Sequence, residues 1–222
     1  MAEAESLRRA HSIHSDWIRP SRTALLIIDM QADFASPEGA AARGGASLDM
    51  VPSALTAADR LARAARAAGA LVAFALLETA EATDSPVWSE RLARTGRPRA
   101  ELAICRSGQA GAAPVGPQPA PRDLVVRKRR YSAFFDTGLD AALEARAIDT
   151  LVVCGLTTEC CIDSSVREAC HRDYHVFVVA DACASYDERL HRAALEALAL
   201  HCAIVVNADE VSRAWVGRGG QG

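Results

Sequence analysis

The sequence predicts an α/β protein: a three-layer α/β/α domain built on a doubly wound, mainly parallel sheet of six strands. Two observations carry this. Six short runs rich in Val, Ile and Leu read as strands, and they are near-continuous rather than alternating, as strands buried on both faces are. Most of the stretches between them are Ala-, Leu- and Arg-rich with helical spacing, and strands that alternate with helices fold into parallel sheets. The chain has 222 residues, 50% hydrophobic and 24% charged, which is enough for one buried core.

The elements follow in order. Thr23–Asp29 (TALLIID) is the first strand. Residues 52–68 suit a helix, with Pro52 in its first turn and Gly69 as its stop. Ala70–Leu77 is the second strand. Residues 80–122, rich in proline and glycine, form a long connection with one short helix near Val87–Ala93. Leu124–Lys128 is the third strand, Leu139–Ala147 a helix, Thr150–Gly155 the fourth strand and Glu159–Arg172 a helix. His175–Asp181 is the fifth strand, Glu188–Leu200 a helix and Ala203–Val206 the sixth strand. Asn207 or Asp209 caps a last helix through Trp215. The domain spans 21–216, between an N-terminal arm (1–20) and a flexible tail (217–222).

Composition narrows the function. A formal net charge of −3 argues against nucleic acid, which needs a basic face. No apolar run approaches the roughly 20 residues that span a membrane, and the first residues hold no secretory h-region. The expected compartment is the cytoplasm. Seven cysteines, an odd number without a CxxC pair, point to reduced thiols rather than a disulfide framework or a zinc ribbon. Of 25 basic residues, 24 are Arg and one is Lys128. An ammonium is more compact than a guanidinium, and its pKa shifts more readily on burial.

In open α/β sheets the site lies beyond the carboxyl ends of the strands. Three strand ends carry reactive groups: Asp29 at the first, Lys128 at the third, and Cys160 and Cys161 in the helix start after the fourth. Each alone fits a cap or packing. Together they fit a nucleophilic site. A helix N-terminus and an ammonium lower a thiol pKa, a carboxylate can take the thiol proton and return it to a leaving amine, and backbone N–H groups can hold an oxyanion. Such a set suits acyl transfer from an amide.

The motifs ALLIIDMQADF (24–34), VVRKRRYSAFFDTGLD (125–140), VVCGLTTECCIDSSVREA (152–169) and VVADACAS (178–185) resemble those of the isochorismatase-like cysteine hydrolases. That family includes N-carbamoylsarcosine amidases, biuret hydrolases, ureidoacrylate amidohydrolases and nicotinamidases. The resemblance covers roughly residues 20–216. It selects Cys161, six residues after Gly155, as nucleophile and leaves Cys160 to packing. It implies Asp29 as proton acceptor, Lys128 as stabiliser of the thiolate, a cis peptide between Leu156 and Thr157, and the backbone N–H groups of Thr157 and Cys161 as oxyanion donors. It also implies a homodimer or homotetramer.

The chain departs from nicotinamidases after the second strand, where ETAEATDSP (78–86) holds no His; no metal site and no cofactor are expected. The substrate expected is a small carboxamide or ureide, cleaved through a thioester. Phe34, Tyr131 and Phe135 are candidate pocket walls, equally consistent with core packing. Arg130 either binds a substrate carboxylate or is a solvated charge. Two other readings remain: vinyl-ether hydrolysis on the same fold, and a non-enzymatic thiol sensor or binding protein. No GxGxxG follows the first strand, so dinucleotide binding has no support.

Overall fold

The computed structural model describes residues 13–216; residues 1–12 of the expected arm and the whole expected tail, 217–222, lie outside the described residues. Six strands, all parallel, are ordered β3-β2-β1-β4-β5-β6: β1 (Thr23–Ile28), β2 (Leu71–Leu77), β3 (Leu124–Lys128), β4 (Thr150–Leu156), β5 (His175–Ala184) and β6 (Ile204–Val206). The central strands β1 and β4 are buried at every residue, which is why their sequences are unbroken apolar runs.

Helices cover both faces. The helix α3 (Val51–Ala68) buries Val51, Ala54, Ala58, Leu61, Ala62 and Ala65, a stripe at helical spacing, against the sheet and against α8 (Ala208–Val216). The other face is covered by α6 (Asp163–His171) and α7 (Glu188–His201). Gly69 ends α3 with φ of 77°, and the N–H of the next residue, Ala70, returns to Ala65 O at 2.9 Å. Asn207 precedes α8, and its N–H donates to Glu210 at 2.8 Å, the reciprocal half of a capping box. Part of the expected arm packs on the body: Ile18 is fully buried, and its carbonyl accepts from the Trp215 indole at 3.0 Å.

Several boundaries differ from the sequence expectation. Two four-residue helices, α1 (Ala32–Ala35) and α2 (Ala40–Arg43), follow β1; each is too short to show periodicity. The short helix of the long connection is α4 (Pro86–Arg94), capped by the Ser85 hydroxyl. The helix expected over Leu139–Ala147 is α5 (Leu139–Glu144); Ala147 takes φ of 54° and turns the chain toward β4. Strand β5 runs to Ala184 with a register shift opposite Val153–Gly155, so its end lies beside the start of the Cys161 turn.

At β1 and β4 the strand order reverses, and the crevice opens beyond their carboxyl ends. Gly155 is required there. Its φ is 134°, and a Cβ on it would lie 2.0 Å from Ile28 O, so no larger residue lets β4 approach β1.

Candidate active site

Asp29 follows the last residue of β1 rather than closing the strand. It adopts φ of 52°, a left-handed conformation that Asp tolerates better than most residues and that persists where the surroundings hold it. Its backbone N–H donates to Ala75 O at 3.0 Å, and Gln31 N–H donates to its carbonyl at 2.8 Å. The carboxylate is thereby turned across the end of β2, where Oδ1 accepts from Leu77 N–H at 2.9 Å. Lys128, the last residue of β3, reaches over the same end. Its Nζ lies 2.6 Å from Asp29 Oδ2 and donates to Arg130 O at 3.0 Å and to Cys161 Sγ at 3.4 Å. Lys128 and Asp29 are both fully buried. An ion pair removed from water needs such close partners to persist.

Cys161 lies in a widened, π-type turn, Thr158–Ile162, ahead of α6 rather than inside a regular first helical turn. The Leu156–Thr157 peptide that leads into this turn is cis. Cys160 N–H and Ile162 N–H both donate to Thr157 O, at 3.1 Å each, and close the turn. The Cys161 carbonyl accepts from the Ser165 hydroxyl at 2.6 Å, and that hydroxyl in turn accepts from Ala133 N–H at 2.9 Å.

The electrostatics follow from burial. Burial raises the Asp29 pKa above the ordinary carboxylate range, although Lys128 opposes it. Burial alone would lower the Lys128 pKa; the negative charge of Asp29 and the hydrogen bonds to Asp29 and Cys161 outweigh it, so Lys128 stays protonated. The two adjacent thiols shift each other in opposite directions, Cys161 up and Cys160 down; burial and Asp29 push Cys161 further up, against Lys128. Cys161 therefore rests as a thiol beside a carboxylate made more basic than usual.

Sγ of Cys161 opens into a cavity of about 240 Å³, also lined by Phe34, Trp88, Tyr131, Thr157 and Tyr186. A larger open cleft of about 740 Å³ lies at the other end of the sheet, by the starts of β4 and β5, and holds none of these groups. The structure thus brings Asp29, Lys128, Thr157, Cys161, Phe34, Arg130 and Tyr131 together. Phe135 is a correction: it is 56% exposed and lines a separate shallow cleft with Arg129 and Asp136, while its neighbour Phe134 takes the buried position. Cys160 is a second correction, because it lines the cavity rather than only packing behind it.

Sequence reasoning missed three groups. Gln31 is fully buried, and its amide accepts from Leu77 N–H at 2.8 Å and donates to Leu77 O and Ala112 O at 2.9 Å each, fixing the strand end that Asp29 uses. Its signal was an unexplained Gln two residues after a strand-end Asp. Ser165 stands four residues after the nucleophile candidate, the spacing at which a hydroxyl reaches a backbone carbonyl. Trp88, in the long connection, gave no local signal.

Comparisons with known proteins place the chain among its relatives. The isochorismatase domain family matches residues 23–210. The ureidoacrylate amidohydrolase RutB of Methylobacterium radiotolerans is 37% identical over 188 residues, covering 79% of this chain and 72% of that protein. RutB of Variovorax paradoxus is 35% identical over 175 residues, 74% of this chain and 69% of the relative. Among solved structures, a cysteine hydrolase from Pseudomonas syringae pv. phaseolicola superposes with a TM-score of 0.80 at 27% identity, covering 90% of this chain and 95% of that one. N-carbamoylsarcosine amidase from Thermoplasma acidophilum gives 0.66 at 25% identity, over 85% and 97%. The fold, the family match and the relatives place the chain together: it belongs to the isochorismatase family.

Proposed function

We propose that the protein is a cysteine-dependent amidohydrolase that cleaves a C–N bond of a small carboxamide or ureide through a thioester intermediate. The observation that carries this is the position of Lys128 Nζ, 2.6 Å from the Asp29 carboxylate and 3.4 Å from Cys161 Sγ, beside a cavity of small-molecule size. The naming of relatives as ureidoacrylate amidohydrolases and of a structural neighbour as N-carbamoylsarcosine amidase supports a ureide as first choice.

Asp29 takes the Cys161 thiol proton, and Lys128 holds the thiolate. The sulfur attacks the substrate carbonyl, and the oxyanion is received by the N–H groups of Thr157 and Cys161, each such donor being worth roughly 2.7–4 kcal/mol where measured. Asp29 returns the proton to the leaving nitrogen, so ammonia or a small amine departs and Cys161 keeps the acyl group. Water, deprotonated by Asp29, then attacks the thioester; the acid leaves, and the proton goes back to sulfur. Phe34, Arg130 and Tyr131 contact the substrate body. Assembly as a homodimer or homotetramer in the cytoplasm completes the proposal. Among the described residues no helix is long and apolar enough to cross a membrane.

The test is ammonia release from a panel containing ureidoacrylate, N-carbamoylsarcosine, biuret, maleamate and nicotinamide. Release from one ureide or linear amide, abolished by C161A, is the expected result. Cleavage of a vinyl ether with no amide turnover, or an unreactive Cys161 with no turnover, contradicts it.

A further inference from the structure

We propose that Arg91, on α4 at the rim of the cavity, is the specificity-determining residue that binds a substrate carboxylate, so that the amide or ureide this enzyme takes is an anion. The inference rests on the amidohydrolase reading and adds to it the charge of the substrate.

The walls of the cavity are unusually cationic for a chain whose net charge is −3. They include four guanidinium groups and the Lys128 ammonium, against the carboxylates of Asp84 and Glu101. Most of these charges are already engaged. Asp84 is held by both terminal nitrogens of Arg106, at 2.6 and 2.7 Å. Glu101 pairs with Arg97, and Lys128 with Asp29. Arg130 donates to Arg129 O at 2.9 Å and lies 5.0 Å over the Trp88 ring. Arg129 also lines the second cleft, together with Arg130 and Phe135. Arg91, Arg129 and Arg130 have no carboxylate within ion-pair distance among the described residues, and of these three Arg91 stays out of both the second cleft and the contact with the Trp88 ring.

Its placement fits the role. Trp88, Arg91 and Leu92 are spaced i, i+3, i+4 on α4, and all three line the cavity, so they form one face of the helix turned toward Cys161. Arg94, one turn on, instead pairs with Glu90 and is absent from the cavity wall. The charge of Arg91 reaches Tyr131 across the cavity, where it lowers the phenol pKa against the dominant upward effect of burial. A planar guanidinium with no partner, facing a partly apolar cavity, is suited to bidentate recognition of a carboxylate.

Two nearly isosteric thiol reagents test this: N-(2-carboxyethyl)maleimide and N-propylmaleimide. Both anchor on a thiol and differ only in the charge they project several ångströms away. Adduct formation at Cys161 is followed by tandem mass spectrometry in wild type, R91Q and R94Q, each rate ratio being normalised to free cysteine. The expected result is a preference of about tenfold for the carboxylate reagent in wild type and R94Q, lost in R91Q. No preference in wild type, or the same preference in R91Q, overturns the role of Arg91 while leaving the nucleophile intact. A Cys161 inert to both reagents overturns the amidohydrolase reading, and this inference with it.

Discussion

The Ser165 hydroxyl donates to the Cys161 carbonyl at 2.6 Å while accepting from Ala133 N–H at 2.9 Å. A side chain that is 1% exposed thus ties the turn bearing the nucleophile candidate to the loop that follows Lys128. The two strand ends that supply Lys128 and Cys161 are coupled through it. Replacing Ser165 by Ala leaves a buried N–H and a buried carbonyl without this partner, at a cost of about 1–3 kcal/mol. S165A should melt several degrees lower and lose activity mainly in kcat. An unchanged Tm and kcat would contradict the coupling.

The thiol pair gives a prediction with a definite sign. The neighbouring Cys160 thiol raises the Cys161 pKa, so C160A should lower it. The pH dependence of Cys161 alkylation by iodoacetamide reads this as a shift of the inflection toward acid. A shift toward alkali would mean that Cys160 stabilises the Cys161 thiolate instead.

In the proposed mechanism the acidic limb of activity belongs to Asp29. The group must be ionised to accept the thiol proton, and burial raises its pKa above the ordinary carboxylate value. As pH falls, kcat/KM should therefore drop at a higher pH than an exposed aspartate would give. A profile flat down to about pH 4 would remove Asp29 as the base.

The roof of the cavity is an aromatic stack. The Trp88 ring lies 4.8 Å from the Tyr131 ring at 19°, with the Arg130 guanidinium 5.0 Å over Trp88. This pins α4, from the long connection, to the chain after β3. An aromatic pair and a cation–π contact contribute together about 1–2 kcal/mol. W88A should raise KM about tenfold and change kcat less, because the stack touches the cavity wall rather than the Cys161–Lys128–Asp29 cluster. A fall in kcat alone would place Trp88 in the chemistry.

Much of this arrangement was legible before the structure. Buried parallel strands write themselves as apolar runs, so β1 to β4 and β6 fall within about one residue of their expected limits. The last residues of β5 were not legible, because Asp181 breaks the run and the register shift that readmits the strand depends on β4. Asp29, Lys128 and Cys161 stand out as strand-end residues, and the topology requires such ends to converge. The cavity wall was not readable, since it depends on how a 43-residue connection folds back. Phe134 and Phe135 show the difficulty: adjacent phenylalanines carry no local mark of which enters the core, and tertiary packing against Tyr174 chose Phe134.

The most direct test of the central claim is turnover by C161A and C161S beside wild type on the best ureide or amide of the panel, with acid-quenched wild type examined for an adduct on Cys161. The account predicts loss of ammonia release in both variants and, in wild type during turnover, an acyl adduct confined to Cys161. Ammonia release by C161A at the wild-type rate would contradict it.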